Sequence, residues 1–305
     1  MDYLIASTAV VDQIFYKDIV DSVLAIGGAG FYAYCGARIF SDSVRLTCGK
    51  GSDFDQTIKP DFVKDQINDE NMFALDLPTP RTIVKYKDDG ERVETPVYGV
   101  EHYQKFVSSV SEIEKHCKNI KGLYIFKEAE NIAFWSSLIE LKNKYNFKIL
   151  WEVSRDTTIP KNLDLIKSIA ANIDIFSINK TETMSLFDCS ESECEDKLQN
   201  LGFDSVFYRK GASGASMISK ERVVFTPSID SFKPVDPTGA GNSSSAAVLV
   251  GYCENKSLFE IGTMGSISAG FIISQNGAPL TSSPEIREQA NEYLVQQTKG
   301  FSDVR

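Results

Sequence analysis

Residues 122–153 read GLYIFKEAENIAFWSSLIELKNKYNFKILWEV, and their rhythm decides the fold class. Gly122–Phe126 is a short apolar run that reads as a strand, Asn131–Tyr145 is long enough for a helix, and Phe147–Val153 is a second strand. The alternation continues downstream. Leu163–Ala171 is helical, Ile173–Ile178 is a strand, Thr181–Phe187 opens a helix and Ser205–Tyr208 is again a strand. Apolar strands that alternate with helices predict an α/β protein whose mostly parallel sheet is covered by helices on both faces.

Outward from this block the pattern persists. Residues 3–11 (YLIASTAVV) form one β-rich apolar run, expected as a buried strand. Gly27-Gly28-Ala29-Gly30 precedes a helical stretch, FYAYCGARIF, and Val44–Thr47 is a further strand. On the other side, small residues over 241–253 predict a tightly packed helix, followed by helices over 258–274 and 284–298. Residues 81–98 behave differently. Thr82–Tyr86 and Arg92–Thr95 alternate apolar with polar around Asp88-Asp89-Gly90, a hairpin signal with one wet face. No linker divides the chain. The expectation is one domain over residues 1–305 with a β excursion around 12–20 and 80–98.

Composition narrows the partners. The 305 residues carry a net charge of -10, with 42% hydrophobic and 24% charged residues, ordinary for a globular protein. No cluster of Lys and Arg offers a face for a phosphate backbone, so nucleic acid is not an expected partner. No run of about 18 apolar residues would span a membrane, and Met1–Ile5 lacks the basic start of a signal peptide. Six scattered cysteines without a CxxC pair fit reduced thiols in a cytoplasmic protein rather than zinc or disulfides.

The chemistry concentrates in Val235-Asp236-Pro237-Thr238-Gly239-Ala240-Gly241-Asn242-Ser243-Ser244-Ser245. A glycine-rich turn that opens a helix leaves backbone N–H groups pointing outward, and these add to the helix dipole as an anion site. A tight turn with small packing residues fits the spacing equally. Asn179-Lys180-Thr181-Glu182 likewise reads as a helix N-cap with its N3 partner. Gly49-Lys50-Gly51-Ser52 lacks P-loop spacing and reads as a turn.

Asp236–Asn242 resembles the second signature of PfkB/ribokinase-family carbohydrate kinases, D-x-T-G-A-G-D, at every position but the last. Other segments are similar to the family's motifs in the right order, from Tyr3 to Gln297. The resemblance implies a three-layer ribokinase-like sandwich with a small β lid, marked here by Gly90-Glu91-Arg92. It also implies an ATP-dependent kinase. Asp12, Gly27, Gly28 and Asp53 would bind a sugar or nucleoside, and the Gly239-Ala240-Gly241 amides would form the anion hole. Asn179, Gly211, Gly214, Asp236, Thr238, Asn276 and Gly277 would lie on the nucleotide side. Asn179 and Glu182 would hold Mg²⁺ through water, and a monovalent cation would sit near Asp236. The lid edge would serve a homodimer.

Two departures matter. The family's catalytic base, an Asp, is replaced by Asn242, as in a divergent branch of the family. Asn has no proton-accepting form at neutral pH, and a general base contributes roughly 10²–10⁴-fold, or about 3–5 kcal/mol. Positioning and charge stabilisation, which dominate phosphoryl transfer, are retained. The chain therefore reads either as a slow phosphotransferase or as a pseudokinase that binds nucleotide or sugar and acts through a protein partner. The second departure is Phe31-Tyr32-Ala33-Tyr34 after the glycines, where sugar kinases place an Asn. Aromatics there imply a nucleoside-like or larger ligand, with Tyr32 as the contact if Phe31 and Tyr34 are core.

Overall fold

In the computed structural model, which describes residues 2–15, 22–86, 92–279, 281 and 283–299, successive residues of the central strands face two separate hydrophobic cores. The strands are β1 (Tyr3–Ala6), β2 (Val10–Phe15), β3 (Val23–Gly27), β4 (Val44–Thr47), β5 (Gly49–Lys50), β6 (Phe73–Ala74) and β7 (Arg81–Tyr86). After them come β8 (Arg92–Pro96), β9 (Gly122–Lys127), β10 (Lys148–Val153), β11 (Ile175–Asn179), β12 (Ser205–Arg209), β13 (Ala215–Ser219) and β14 (Val223–Thr226). The helices are α1 (Ala29–Arg38), α2 (Phe54–Thr57), α3 (Lys59–Lys64), α4 (Val100–Gln104), α5 (Val110–Glu114) and α6 (Ile132–Tyr145). They continue with α7 (Leu163–Ala170), α8 (Lys180–Phe187), α9 (Cys194–Gln199), α10 (Ala240–Cys253), α11 (Leu258–Ile273) and α12 (Pro284–Thr298).

The main sheet has eight strands in the order β14-β13-β12-β11-β10-β9-β1-β4. All neighbours from β12 to β4 run parallel, as the strand–helix alternation predicts. Tyr3, Ile5, Tyr124, Leu150 and Phe207 point to the core shared with α1, α10, α11 and α12. Leu4, Leu123, Ile149, Trp151 and Phe176 point to the other, shared with α6, α7, α8 and α9. The result is three layers. Among the described residues no helix is long and apolar enough to cross a membrane.

Two features differ from the expectation. The apolar run 3–11 is not one strand. It breaks at Ser7-Thr8-Ala9, because the Thr8 carbonyl accepts the Gly30 and Phe31 amides at 2.9 and 3.2 Å and holds the chain at the start of α1. Beyond the break, β2 joins a separate four-stranded sheet, β3-β2-β7-β8, which contains the anticipated hairpin strands. The hairpin's Asp88-Asp89-Gly90 turn, the Gly90-Glu91 pair and residues 16–20 lie outside the described residues. The other difference is the antiparallel pair β13–β14, which the sequence did not announce. Ala215, Ser216 and Ser219 blur its alternation, and α11 packs on it, with Gly262 against Thr226.

Helix α10 is buried all round from Ser243 to Gly251, between the sheet, α1 and α11. Its small residues let neighbouring backbones approach. A Cβ on Gly36 would overlap the Ser243 backbone, and one on Gly265 would crowd Phe207 and Val248. In a free helix, Gly36→Ala would add about 1 kcal/mol of stability. Here the overlap should reverse the sign, lowering stability by about 1–3 kcal/mol, read as a fall in the urea midpoint. An unchanged or raised midpoint would show that α1 and α10 separate without cost.

Candidate active site

The parallel strands end on the α10 side with a row of polar residues. By the alternation that places Tyr124, Leu150, Ile175 and Phe207 in the α10 core, Glu152, Asn179 and Arg209 fall on the same face. Register aligns Glu152 with Ser177, and Asn179 with Arg209. Carboxyl ends of parallel strands are where open α/β sheets build sites. Arg209 Nη1 lies 3.1 Å from Glu152 Oε1, and its Nη2 lies 3.7 Å from Glu182 Oε2. The Tyr124 hydroxyl donates to Glu152 Oε2 at 2.8 Å. Burial opposes the charge on Arg209, but Glu152 and Glu182 more than offset it and hold the guanidinium protonated. Burial, with Glu152 beside it, pushes the Tyr124 phenol well above its usual range.

Asn242 sits on this row. Its Nδ2 donates to Tyr124 Oη and to Glu152 Oε1, each at 3.2 Å. Glu152 thereby accepts from three donors, as a buried carboxylate requires. The side chain of Asn242 is thus a strut between α10 and the sheet, with its amide nitrogen directed at a carboxylate.

The turn before α10 has the shape of an anion site. Gly239 has φ 80° and caps a helix of 14 residues that no side chain caps. Asp236 Oδ1 accepts the Thr238 amide at 2.9 Å, and the Val235 and Asp236 amides bond to the Ile273 carbonyl, so the approach to the turn is fixed. A cavity of about 620 Å³ opens here. It combines apolar walls from Ile229, Phe232 and Ile273 with Asn179, Arg209 and Gly241. Gly211 and Gly214 also line it, at positive φ of 61° and 94°. Asn276 and Gly277 stand outside this lining, in the segment that follows α11.

The residues expected to hold an acceptor form a second group around the small sheet. Asp12 on β2 is 6% exposed, and its carboxylate lies where a Cβ on Gly27 would be. Gly28, at φ 94°, lets the chain pass the Thr8 carbonyl. Asp53 accepts the Thr79 amide at 2.6 Å and pairs with Arg81 Nη2 at 3.1 Å. Burial tends to raise the Asp53 carboxyl, but bonds from Thr79 and Arg81 prevail and lower it. Arg81 lies opposite Val11, next to Asp12. Thr8 Oγ1 bonds the Tyr103 hydroxyl, which burial raises to about 12. Tyr32 is as buried as Phe31 and Tyr34, its ring pressed on Gly239. It joins the acceptor side to the glycine turn.

Asn179 and Glu182 form a complete capping box. Asn179 Oδ1 accepts the Glu182 amide at 2.9 Å, and Glu182 Oε2 accepts the Asn179 amide at 2.8 Å. The same Oε2 faces Arg209. A divalent ion bound directly to Asn179 Oδ1 and Glu182 Oε2 would displace the cap and meet a fixed guanidinium, so these atoms could serve Mg²⁺ only through bound water. Among the described residues no group of three His, Cys, Asp or Glu side chains is arranged for a metal. Tyr124, Glu152 and Arg209 were missed in the sequence, although a charged residue ending an otherwise apolar strand, as in ILWEV and VFYR, was a usable signal.

Comparison with known proteins agrees with this layout. The model of the pfkB family carbohydrate kinase matches residues 27–286, and the chain belongs to that family. An uncharacterized protein of Schizosaccharomyces pombe is 24% identical over 325 aligned residues, spanning 92% of this chain and 86% of that protein. The crystal structure of adenosine kinase from Sinorhizobium meliloti superimposes with a TM-score of 0.77 at 18% identity, covering 95% of this chain and 98% of that one. The nucleoside kinase of Methanocaldococcus jannaschii, an archaeal member of the ribokinase family, gives 0.69 at 18% identity over 97% and 99% of the two chains. The fold is ribokinase-like.

Glu182 gives the site a pH signature. Burial raises its carboxyl above the usual 4.5, while Arg209 and the Asn179 amide pull the other way without cancelling it. An acid raised in the folded state stabilises the fold when protonated. Its contribution is therefore full below 4.5 and lost as pH rises through the raised value. Glu182→Gln keeps an oxygen for the cap and removes the titration. Its stability relative to the parent should climb as pH rises from acid to neutral, measured by denaturant midpoints. A pH-independent difference would contradict the burial effect.

Proposed function

We propose that this chain is an ATP-dependent phosphotransferase acting on a sugar or nucleoside hydroxyl, and that it turns over slowly. The observation that carries the reading is the uncapped glycine turn at 239–241, which meets a nucleotide-sized cavity on one side and, through Tyr32, the Asp12 group on the other. The turn's amides supply what a transferring phosphoryl group needs, donors already oriented toward developing negative charge. Relatives named as adenosine kinase and nucleoside kinase support an acceptor of that class. The aromatic neighbourhood of Tyr32 is compatible with it.

Asn242 would position the acceptor hydroxyl without removing its proton. Its Oδ1 is an acceptor, whereas its Nδ2 is committed to Tyr124 and Glu152. That commitment also supports a second reading, in which Asn242 is purely a strut and the chain binds nucleotide without transferring phosphate, acting through a protein partner.

The geometry shapes the test. An Asp at 242 would stand near Glu152 Oε1, and like charges that close disfavour ionisation. Asn242→Asp alone should raise turnover modestly. Asn242→Asp with Glu152→Gln should raise it by about 10²-fold or more, the value of a general base, in phosphate transfer from ATP to a panel of sugars and nucleosides. ATP binding without transfer in all three proteins would establish the second reading. Absence of nucleotide binding would refute both.

A further inference from the structure

Arg209 occupies a position that neither the cap of α8 nor the strut at Asn242 explains. Its Nη1 reaches so far into the glycine turn that a Cβ on Gly241 would collide with it, and Gly241 has none. The side chain is 13% exposed and lines the cavity together with Asn179, Ala240 and Gly241. Two carboxylates, Glu152 and Glu182, hold it from the protein side. Nε and Nη2 are buried and make no hydrogen bond within the protein. Those two donors are shut off from the cavity, and Nη1, beside Gly241, is the end of the guanidinium that a ligand in the cavity would meet. An arginine N–H aimed at a helix N-terminus is a strong donor to phosphate oxygens.

Resting on the phosphotransferase reading above, we infer that Arg209 is the resident cation of the phosphate site. It would bind the terminal phosphates of a nucleoside di- or triphosphate jointly with the 239–241 amides, so that nucleotide binding does not require a divalent metal. Asn179 Oδ1 and Glu182 Oε2 are both engaged in the cap, so the positive charge fixed at the turn is the guanidinium. The guanidinium already faces Glu182, the carboxylate that an ion would need.

The test is calorimetric titration of the full chain with ATP, and with adenosine as the phosphate-free control, in excess Mg²⁺ and in excess EDTA. For the parent, chelation should change ATP affinity by less than about threefold. Arg209→Met should weaken ATP binding in EDTA by about tenfold or more, the value of a lost charge-assisted pair, and leave adenosine binding unchanged. Because that variant leaves Glu152 buried and unpaired, Arg209→Met with Glu152→Gln provides a folded counterpart in which both charges are gone. The inference is overturned if the parent loses ATP on chelation, if the double variant binds ATP in EDTA like the parent, or if adenosine affinity falls in parallel. A parent that binds no ATP in either buffer would bring down the phosphotransferase reading itself.

Discussion

The buried pair between Glu152 and Arg209 is the interaction around which the polar end of the sheet is organised. Each charge comes from the last turn of an apolar strand, and neither is tolerable in that environment without the other. Removing one partner of such a pair costs about 3–5 kcal/mol, since the survivor stays desolvated. Glu152 also accepts from Tyr124 and Asn242, and Arg209 faces Glu182 at the start of α8. Three strands and two helices are thus registered on one cluster. The N-terminus of α10 cannot shift without breaking part of it.

A second constraint is steric. Glycines at 36, 239, 251 and 265 remove the volume that would keep helices and rings apart. The contact of Tyr32 with Gly239 matters most, because it ties the position of α1, which follows the Gly27–Asp12 contact, to the turn at 239–241. The positions of β3, α1 and the glycine turn are set by close packing.

Asn at 242 is consistent with this environment in a way that Asp is not. An amide donates to Glu152, whereas a carboxylate there would add a second negative charge beside a buried first. Asn242 thereby completes the hydrogen bonding of the cluster. Its neighbours are compatible with Asn without further adjustment.

Much of this was written locally. The strand–helix alternation from Gly122 onward determined the parallel sheet, since strands covered on both faces must be apolar throughout. The Gly239–Gly241 turn and the Asn179–Glu182 cap were legible because backbone hydrogen bonding acts over three or four residues. The break of the 3–11 run was not, because the Thr8 carbonyl is claimed by the distant amides of Gly30 and Phe31. Nor was the pairing of β13 with β14, whose stability comes from α11. The chemistry of the site divides in the same way. The sequence by itself determined the glycine turn that opens α10 and the Asn at position 242. Only the tertiary structure decided that Arg209 fills the place between Glu152 and Glu182. Those three residues lie on separate elements, and their charges acquire meaning when packing removes water and brings them within 4 Å.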